Sequence, residues 1–420
     1  MANSFAHDKM ATLWSEVAET TDLMRTLSKD LEVYDMDAEA NQDHASDASA
    51  NGVGDGNADR QYIPQEYRFD VQDGIVSSDS DFQDIIDRMI PVNRKRAKRV
   101  LAQIDAKGLR DPQRRAKVVK GFAKDIANAI DKDAYQTMID QSSMVVTSDS
   151  DFSFDLGIDA ELKMLNDGLS GFDRKLFLSN RHYGKVAKEL GNFSRETFTA
   201  DAISRAKIPD LATFQTMRSD YLLTLGANAT SNLSVNGNQS HTVETYDANG
   251  FYLDNRYMQL AVTNASASTM PVGTKFTIAG VNAVNPETRE DNGELQTFTV
   301  TASGSGTATI APAIVTSGPY QNCTAQAADS AAITPLNAAA NAPSLFYTPE
   351  STVLVPGSLP VPQDAGGVNS VDAVSEQGLP MRLTYWYDPH AEVFNMKALV
   401  YYDIQVIYPN MVGAILDKQS

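Results

Sequence analysis

From about Ala227 to Asn341 the chain changes character. Charged residues thin out, and Asn, Ser, Thr, Val and Gly dominate. Turn residues punctuate this stretch so often that no long helix fits, and the runs between them carry strand patterning. Met258–Thr263, Thr274–Ala279 and Thr297–Thr301 are rich in β-branched and aromatic residues that alternate with period two, as half-buried strands do. The polar stretch Asn285–Glu294 between the last two contains Asn292-Gly293 and is expected to be the turn. An all-β module flanked by helical patterning constrains the whole chain to an α+β class with more than one domain.

The flanks read differently. Met10, Leu13, Trp14, Val17, Met24, Leu27 and Leu31 recur at helical spacing, predicting an amphipathic helix over 10–31. A helix is also expected around Asn93–Ala106, with Ala97, Val100, Leu101 and Ile104 on one face. Asp111-Pro112 then starts a second, long helix from about Gln113 to Gln141 with Pro112 at its first position. Its apolar face is Val119, Phe122, Ile126, Ala129, Ile130, Ala134 and Met138. Such a helix spans roughly 43 Å at about 1.5 Å per residue, long enough to cross a domain. Further on, Ile158–Leu169 and His182–Leu190 read as helices. Leu176–Ser179, Thr352–Val355, Met381–Tyr387 and Leu399–Tyr408 read as strands. Tyr62–Val76 looks partly extended.

Several function classes find no support. No run of 18 apolar residues exists, so no membrane helix and no membrane partner are expected. The first residues carry no apolar leader, so cytoplasmic synthesis is expected. Cys323 is the only cysteine, which leaves no intramolecular disulfide and no Cys-based zinc site. There is no GxSxG, GxxxxGK[ST], HExxH or GxGxxG signature. The five histidines, His7, His44, His182, His241 and His390, are scattered over unlike segments and read as loop or surface residues. Asp55–Asp59 lacks the ligand spacing and closing Glu of a calcium loop and reads as solvated. No catalytic residue, metal ligand or cofactor is therefore assigned.

Charge is the remaining signal. The chain carries −19 overall, yet from Arg88 to Lys124 thirteen Lys and Arg face only Asp105 and Asp111. Arg94, Lys95, Arg96, Lys98, Arg99, Arg114, Arg115, Lys117, Lys120 and Lys124 form the body of this basic stretch. It reads as a solvated face, as a contact between subunits, or as a contact to DNA phosphates. Its one aromatic residue, Phe122, belongs to the apolar face of the long helix, so base stacking is not expected. Its counterpart is Asp35–Asp59, with seven Asp and Glu and no Lys or Arg. Asp35, Asp37, Asp43 and Asp47 there are candidates for contact with the basic stretch of a neighbouring subunit. An amphipathic arm, a long acidic excursion and an over-long helix are together more than one compact subunit is expected to cover.

The order of several short motifs resembles that of major coat proteins from short-tailed double-stranded-DNA phages of the P-twenty-two type. These are Gln141–Thr147, Phe177–Asn180 followed by His182-Tyr183, Asp254-Asn255-Arg256, Gly273–Val281, Gln296–Val300, Ser344–Tyr347 through Pro362, and Gly378–Ile415. The acidic composition of the excursion and the segment Gln363–Gln377 depart from that pattern. The resemblance implies a Hong-Kong-97-like capsid fold with a long spine helix, an extended N-terminal arm and loop, and an inserted antiparallel β-barrel. On this chain the arm maps to 1–35 and the extended loop to 36–76. The peripheral domain maps to 77–145 and 381–420, the axial domain to 146–227 and 347–380, and the barrel to 228–346. It further implies a non-enzymatic major capsid protein of the virion, forming pentamers and hexamers in an icosahedral shell. A scaffolding protein, a portal and packaged double-stranded DNA, bound without sequence preference, are the implied partners. A β-rich surface or adhesion protein with a helical oligomerisation stem is the alternative reading.

Overall fold

The computed structural model describes residues 2–34, 61–69, 71, 84–92, 96–105, 111–193, 213–218, 224–228, 233–247, 250, 252–263, 270–357, 369–388, 390 and 393–419. The chain divides into two units. One comprises Met1–Gln61, Val92–Tyr135 and Thr352–Gln405, the other Tyr62–Pro91, Gln136–Ser351 and Val406–Ser420. Among the described residues no helix is long and apolar enough to cross a membrane.

The first unit is built on a sheet in the order β1 (Glu32–Val33), β15 (Thr352–Gly357), β18 (Val393–Val406), β17 (Pro380–Asp388) and β16 (Asn369–Val374), with β4 (Arg96–Asp105) also pairing β18. Helix α1 (Ala2–Met24) buries Leu13, Trp14, Val17, Ala18 and Thr21, one stripe at helical spacing. Trp14 Nε1 donates to the Met381 carbonyl at 3.0 Å, so the arm packs on its own unit's sheet rather than awaiting a neighbour. The helix ends at Met24, earlier than the periodicity predicts, and Leu27 and Leu31 are buried from the turns that follow.

What holds that turn is a carboxylate on the long helix α2 (Pro112–Gln141). Asp131 is fully buried and accepts from Thr26 N (2.8 Å), Thr26 Oγ1 (3.0 Å), Ser28 N (2.9 Å) and the Ser28 hydroxyl. Buried Arg25 completes the cluster through Ser28 Oγ, Ser28 O and Asp22. At the other end, the Asp111 side chain accepts from Gln113 N at 3.0 Å, with Pro112 as first helical residue, as the sequence predicts. The expected apolar face is buried at Val119, Phe122, Ile126, Ile130, Ala134 and Met138.

The helix expected at Asn93–Ala106 is instead strand β4, in register with β18 from Arg96↔Tyr402 to Asp105↔Val393. Its apolar residues fit either period. The free edge of a 14-residue strand satisfies ten successive backbones at once, and that tertiary pairing decides.

The second unit holds a five-stranded sheet, β5 (Met144–Thr147), β19 (Val412–Leu416), β14 (Ser344–Tyr347), β6 (Lys175–Leu178) and β7 (Gln215–Arg218), with helices α3 (Phe154–Asn166) and α4 (Asn180–Phe193). Phe346 lies across Gly413 on β19, where a Cβ would stand 2.0 Å from the ring. A two-stranded sheet of β2 (Gln61–Pro64) and β3 (Met89–Val92) stands apart from it. The remainder is a closed antiparallel barrel in the order β10 (Lys275–Val284), β11 (Asp291–Ser303), β12 (Thr307–Ala311), β9 (Met258–Thr263), β8 (Leu233–Val235) and β13 (Ala332–Pro335). Strand alternation sends Phe276, Ile278, Phe298 and Val300 inward to Leu260, Val262 and Ile310. The chain enters and leaves the barrel at one place, where Leu225 and Asn341 exchange backbone hydrogen bonds. The turn falls at Asn285–Glu290, where the Asn285 carboxamide accepts from the Glu287 and Thr288 backbones. The turn thus lies in the first half of the expected loop Asn285–Glu294, whereas its end, Asn292-Gly293, is inside β11 beside a register shift.

Replacing Asp131 with Ala leaves Arg25 buried without its second carboxylate and four donors without an acceptor. The expected cost is about 3 kcal/mol. Trp14, one of two tryptophans, should report it as a red-shifted emission at denaturant concentrations where the wild type stays blue-shifted.

Candidate functional site

The barrel is tied to the rest of its unit through the end of a helix. The last carbonyls of α2 have no partner within the helix. Strand alternation turns Lys275, Thr297 and Thr299 away from the barrel core and toward them. Lys275 is fully buried, and the three N–H groups of its Nζ are shared among four oxygens: Ile139 O (2.5 Å), Ser142 O (2.6 Å), Thr299 Oγ1 (2.8 Å) and Ser142 Oγ (2.9 Å). Thr299 Oγ1 donates in turn to Asp140 O at 3.0 Å, and Thr297 Oγ1 to Ser143 O at 2.5 Å. A cation at a helix C-terminus also meets the negative end of the helix dipole. Burial pulls the ammonium down to about 7, against the Asp140 carboxylate, which holds it up. The barrel caps a second helix as well: Asn285 Nδ2 donates to Asn166 O at the end of α3 (2.9 Å), and Asn292 Nδ2 to Asp167 Oδ1 (3.1 Å). Burial raises Asp167 to about 6.

The histidine expected on a surface, His182, is buried instead. Its Nδ1 lies 2.7 Å from Ser344 Oγ and its Nε2 3.2 Å from Asp417 Oδ1, all three side chains being fully buried. Histidine bridging a serine and an aspartate has the connectivity of a hydrolytic triad, but with Ser344 fully buried its hydroxyl is closed off from solvent. The constellation joins α4, β14 and the end of β19. Burial lowers the His182 pKa. At Asp417 burial acts upward, but the hydrogen bond from Asn341 and the neighbouring His182 and Lys185 prevail and hold it at about 2.

On the first unit the sheet leaves one face open. Row by row, Arg99 pairs with Leu399 and then Arg382, Leu101 with Lys397 and Thr384, and Gln103 with Asn395 and Trp386. These rows point away from the buried rows of Met381, Leu383, Tyr385, Met396, Ala398 and Val400. Leu101 is 61% exposed and Trp386 36%, so an aliphatic and an indole stand in water beside Arg99.

The basic stretch is divided. Arg96 lies 3.4 Å from Asp403 and Lys98 2.8 Å from Asp133, whose carboxylate also accepts from Tyr402 Oη. Arg99, Arg114, Lys117, Lys120 and Lys124 are exposed and make no ion pair among the described residues. At 100° per residue, the last four fall within an arc of roughly 120° on α2. Arg115 is on the same helix. Arg94 and Lys95 lie outside the described residues, as do Asp35, Asp37, Asp43, Asp47 and the whole stretch Asp35–Asp59.

The family model described as P22 coat protein, gene protein 5, matches residues 1–417 of this chain. The chain belongs to that family. It is a major capsid protein that assembles with copies of itself into the shell of a phage particle, and so is part of the virion. The α+β architecture with its closed barrel agrees with the Hong-Kong-97-like capsid fold implied by the sequence motifs. The chain is similar to the solved CUS-3 coat protein I-domain, at 44% identity over 26% of this chain and 99% of that one, with a TM-score of 0.22. It is similar at 9% identity to a Mycobacterium phage Che8 structure, over 89% and 88% of the two chains (TM-score 0.41). The mature capsid of bacteriophage PhiM1 is also 9% identical, over 93% and 87% (TM-score 0.44). No curated protein sequence matches.

For this capsid subunit, Lys275 sets a pH dependence. Above about pH 7 the folded chain has released a proton that the unfolded chain keeps until about pH 10. The unfolded state then binds more protons, so stability rises with pH across that window and is flat just below it. Melting scans from pH 7 to 10 should show this rise in the wild type and its loss in K275M. Equal slopes would contradict the assignment.

Proposed function

We propose that the subunit forms pentamers and hexamers of an icosahedral shell around packaged double-stranded DNA, acting without catalysis after synthesis in the host cytoplasm. The division of labour follows the family map: arm 1–35, extended loop 36–76, peripheral domain 77–145 with 381–420, axial domain 146–227 with 347–380, and barrel 228–346. A scaffolding protein directs assembly, and a portal occupies one vertex.

The observation that carries this reading is the uncovered surface of the first unit. Leu101 and Trp386 are exposed on an open sheet face, and Arg99, Arg114, Lys117, Lys120 and Lys124 are exposed cations. Apolar side chains on an open, partly cationic sheet face are what a second copy covers on assembly. The acidic stretch that includes Asp35, Asp37, Asp43 and Asp47 is the complementary surface, supplied by a neighbouring subunit. Opposite charges at a contact between copies favour correct register and make assembly sensitive to salt.

Charge reversal tests the pairing. K117E/K120E/K124E and, separately, D43K/D47K should each reduce the yield of shells by sedimentation and electron microscopy and alter its salt dependence. The combined variant should recover part of the yield. Wild-type assembly by both variants at every salt concentration removes the contact between copies. Normal empty shells that fail to fill with DNA in the lysine variant assign the basic face to nucleic acid instead.

A further inference from the structure

A cavity of about 80 Å³ in the second unit has a lining unlike that of a structural void. Arg68, Arg88 and Arg256 all border it, with the phenols of Tyr320 and Tyr408, and Glu66 is the single carboxylate among its lining residues. That volume holds a few waters or one tetrahedral oxyanion.

The arginines differ in what they already bind. Arg256 is satisfied: Nε and Nη2 donate to the Asp254 carboxylate at 2.9 and 2.7 Å, and Nη1 to Val406 O at 2.6 Å. Arg88 is not. Its Nε is buried with no acceptor, and no carboxylate pairs with it among the described residues. Its guanidinium lies 4.5 Å from the ring centroid of Tyr320, which leaves the in-plane N–H groups free to meet an acceptor. Arg68 gives one N–H to Pro286 O at 3.1 Å and has no ion pair among the described residues.

Donors also outnumber acceptors around the phenols. Tyr320 Oη accepts from Arg68 N at 3.3 Å, and Tyr408 Oη from Glu66 N at 2.9 Å. Each hydroxyl oxygen is thus engaged as an acceptor while its proton remains to be donated. Glu66 is exposed and faces water. Two guanidiniums with no ion pair among the described residues and two phenols line one small cavity, so donors and positive charge are in excess there. An unpartnered buried cation is costly, and an anion is the group that removes the cost.

We propose that this cavity is a binding site for a phosphate-class oxyanion, held by Arg88 and Arg68 and by the hydroxyls of Tyr320 and Tyr408. The source is either free inorganic phosphate or a phosphodiester of nucleic acid, which present the same oxygens to these donors. Arg88, whose Nε is buried, and Arg68 are both half-buried and supply the charge, while Glu66 is exposed.

Calorimetric titration of the full-length, unassembled subunit with inorganic phosphate at constant ionic strength tests the site. One saturable binding event is expected, weakened at least tenfold in R88Q and in R68Q, with acetate giving none. Because R88Q removes a guanidinium whose Nε is buried and risks misfolding, R68Q and the wild-type titration suffice on their own. No saturable heat in the wild type, binding of acetate in place of phosphate, or equal phosphate affinity in wild type and R68Q overturns the proposal. Competition by a double-stranded DNA oligonucleotide assigns the oxyanion to nucleic acid, and its failure to compete assigns it to free phosphate. Either result retains the site.

Discussion

The second unit depends on one ammonium group placed where a helix runs out of partners. Lys275 gives its protons to the carbonyls of Ile139 and Ser142, with hydroxyls of Ser142 and Thr299 alongside. Burying an unpaired lysine is prohibitive, so the barrel strand and the helix end must arrive together or neither is satisfied. Thr297 and Thr299 extend the same logic to Ser143 O and Asp140 O. The barrel core is apolar and closed, so its interior has no need of the helix. Its outer face does, and this makes an insertion part of the subunit rather than an appendage.

Buried polar clusters do comparable work elsewhere. In the first unit Asp131 gathers four donors from the turn after α1 and places Trp14 on the sheet. In the second, Asp417 collects Asn341, Lys185 and His182 where β19 ends. Each joins segments more than 70 residues apart in sequence. Such clusters specify one arrangement, because a slipped alternative would leave a charge buried alone. A shell built from many copies needs subunits that present identical surfaces, and this specificity supplies them.

Much of the fold was legible because periodicity is local. Met258–Thr263 is a strand with those bounds, the long helix begins at Pro112 under Asp111, and its apolar face is the buried one. The failures share a cause: contacts decided at long range. Arg96–Asp105 has an apolar pattern compatible with either period, and the edge of β18 made it a strand. Asn292-Gly293 is a strong turn signal, yet the Asn285 side chain made its turn first. His182 looked like one of five scattered histidines until Ser344 and Asp417 closed around it. Lys275 did carry a signal, a lysine on the outward side of a strand whose neighbours there are threonines. Nothing local announced that a helix terminus more than 130 residues away would meet it. Of the basic stretch, composition identified the residues but not their division into paired and exposed sets.

Native-state hydrogen exchange tests the clamp most directly. Amides of Gln141 to Val145 and of Lys275 itself should exchange in the wild type with a shared opening free energy, because breaking the Lys275 contacts frees the helix end and the outer edge of the barrel strand together. In K275M the helix end should exchange at least tenfold faster, while the core amides of Phe276 and Phe298 retain their protection. A helix end whose protection is unchanged by K275M, or that opens independently of the barrel in the wild type, would contradict the account.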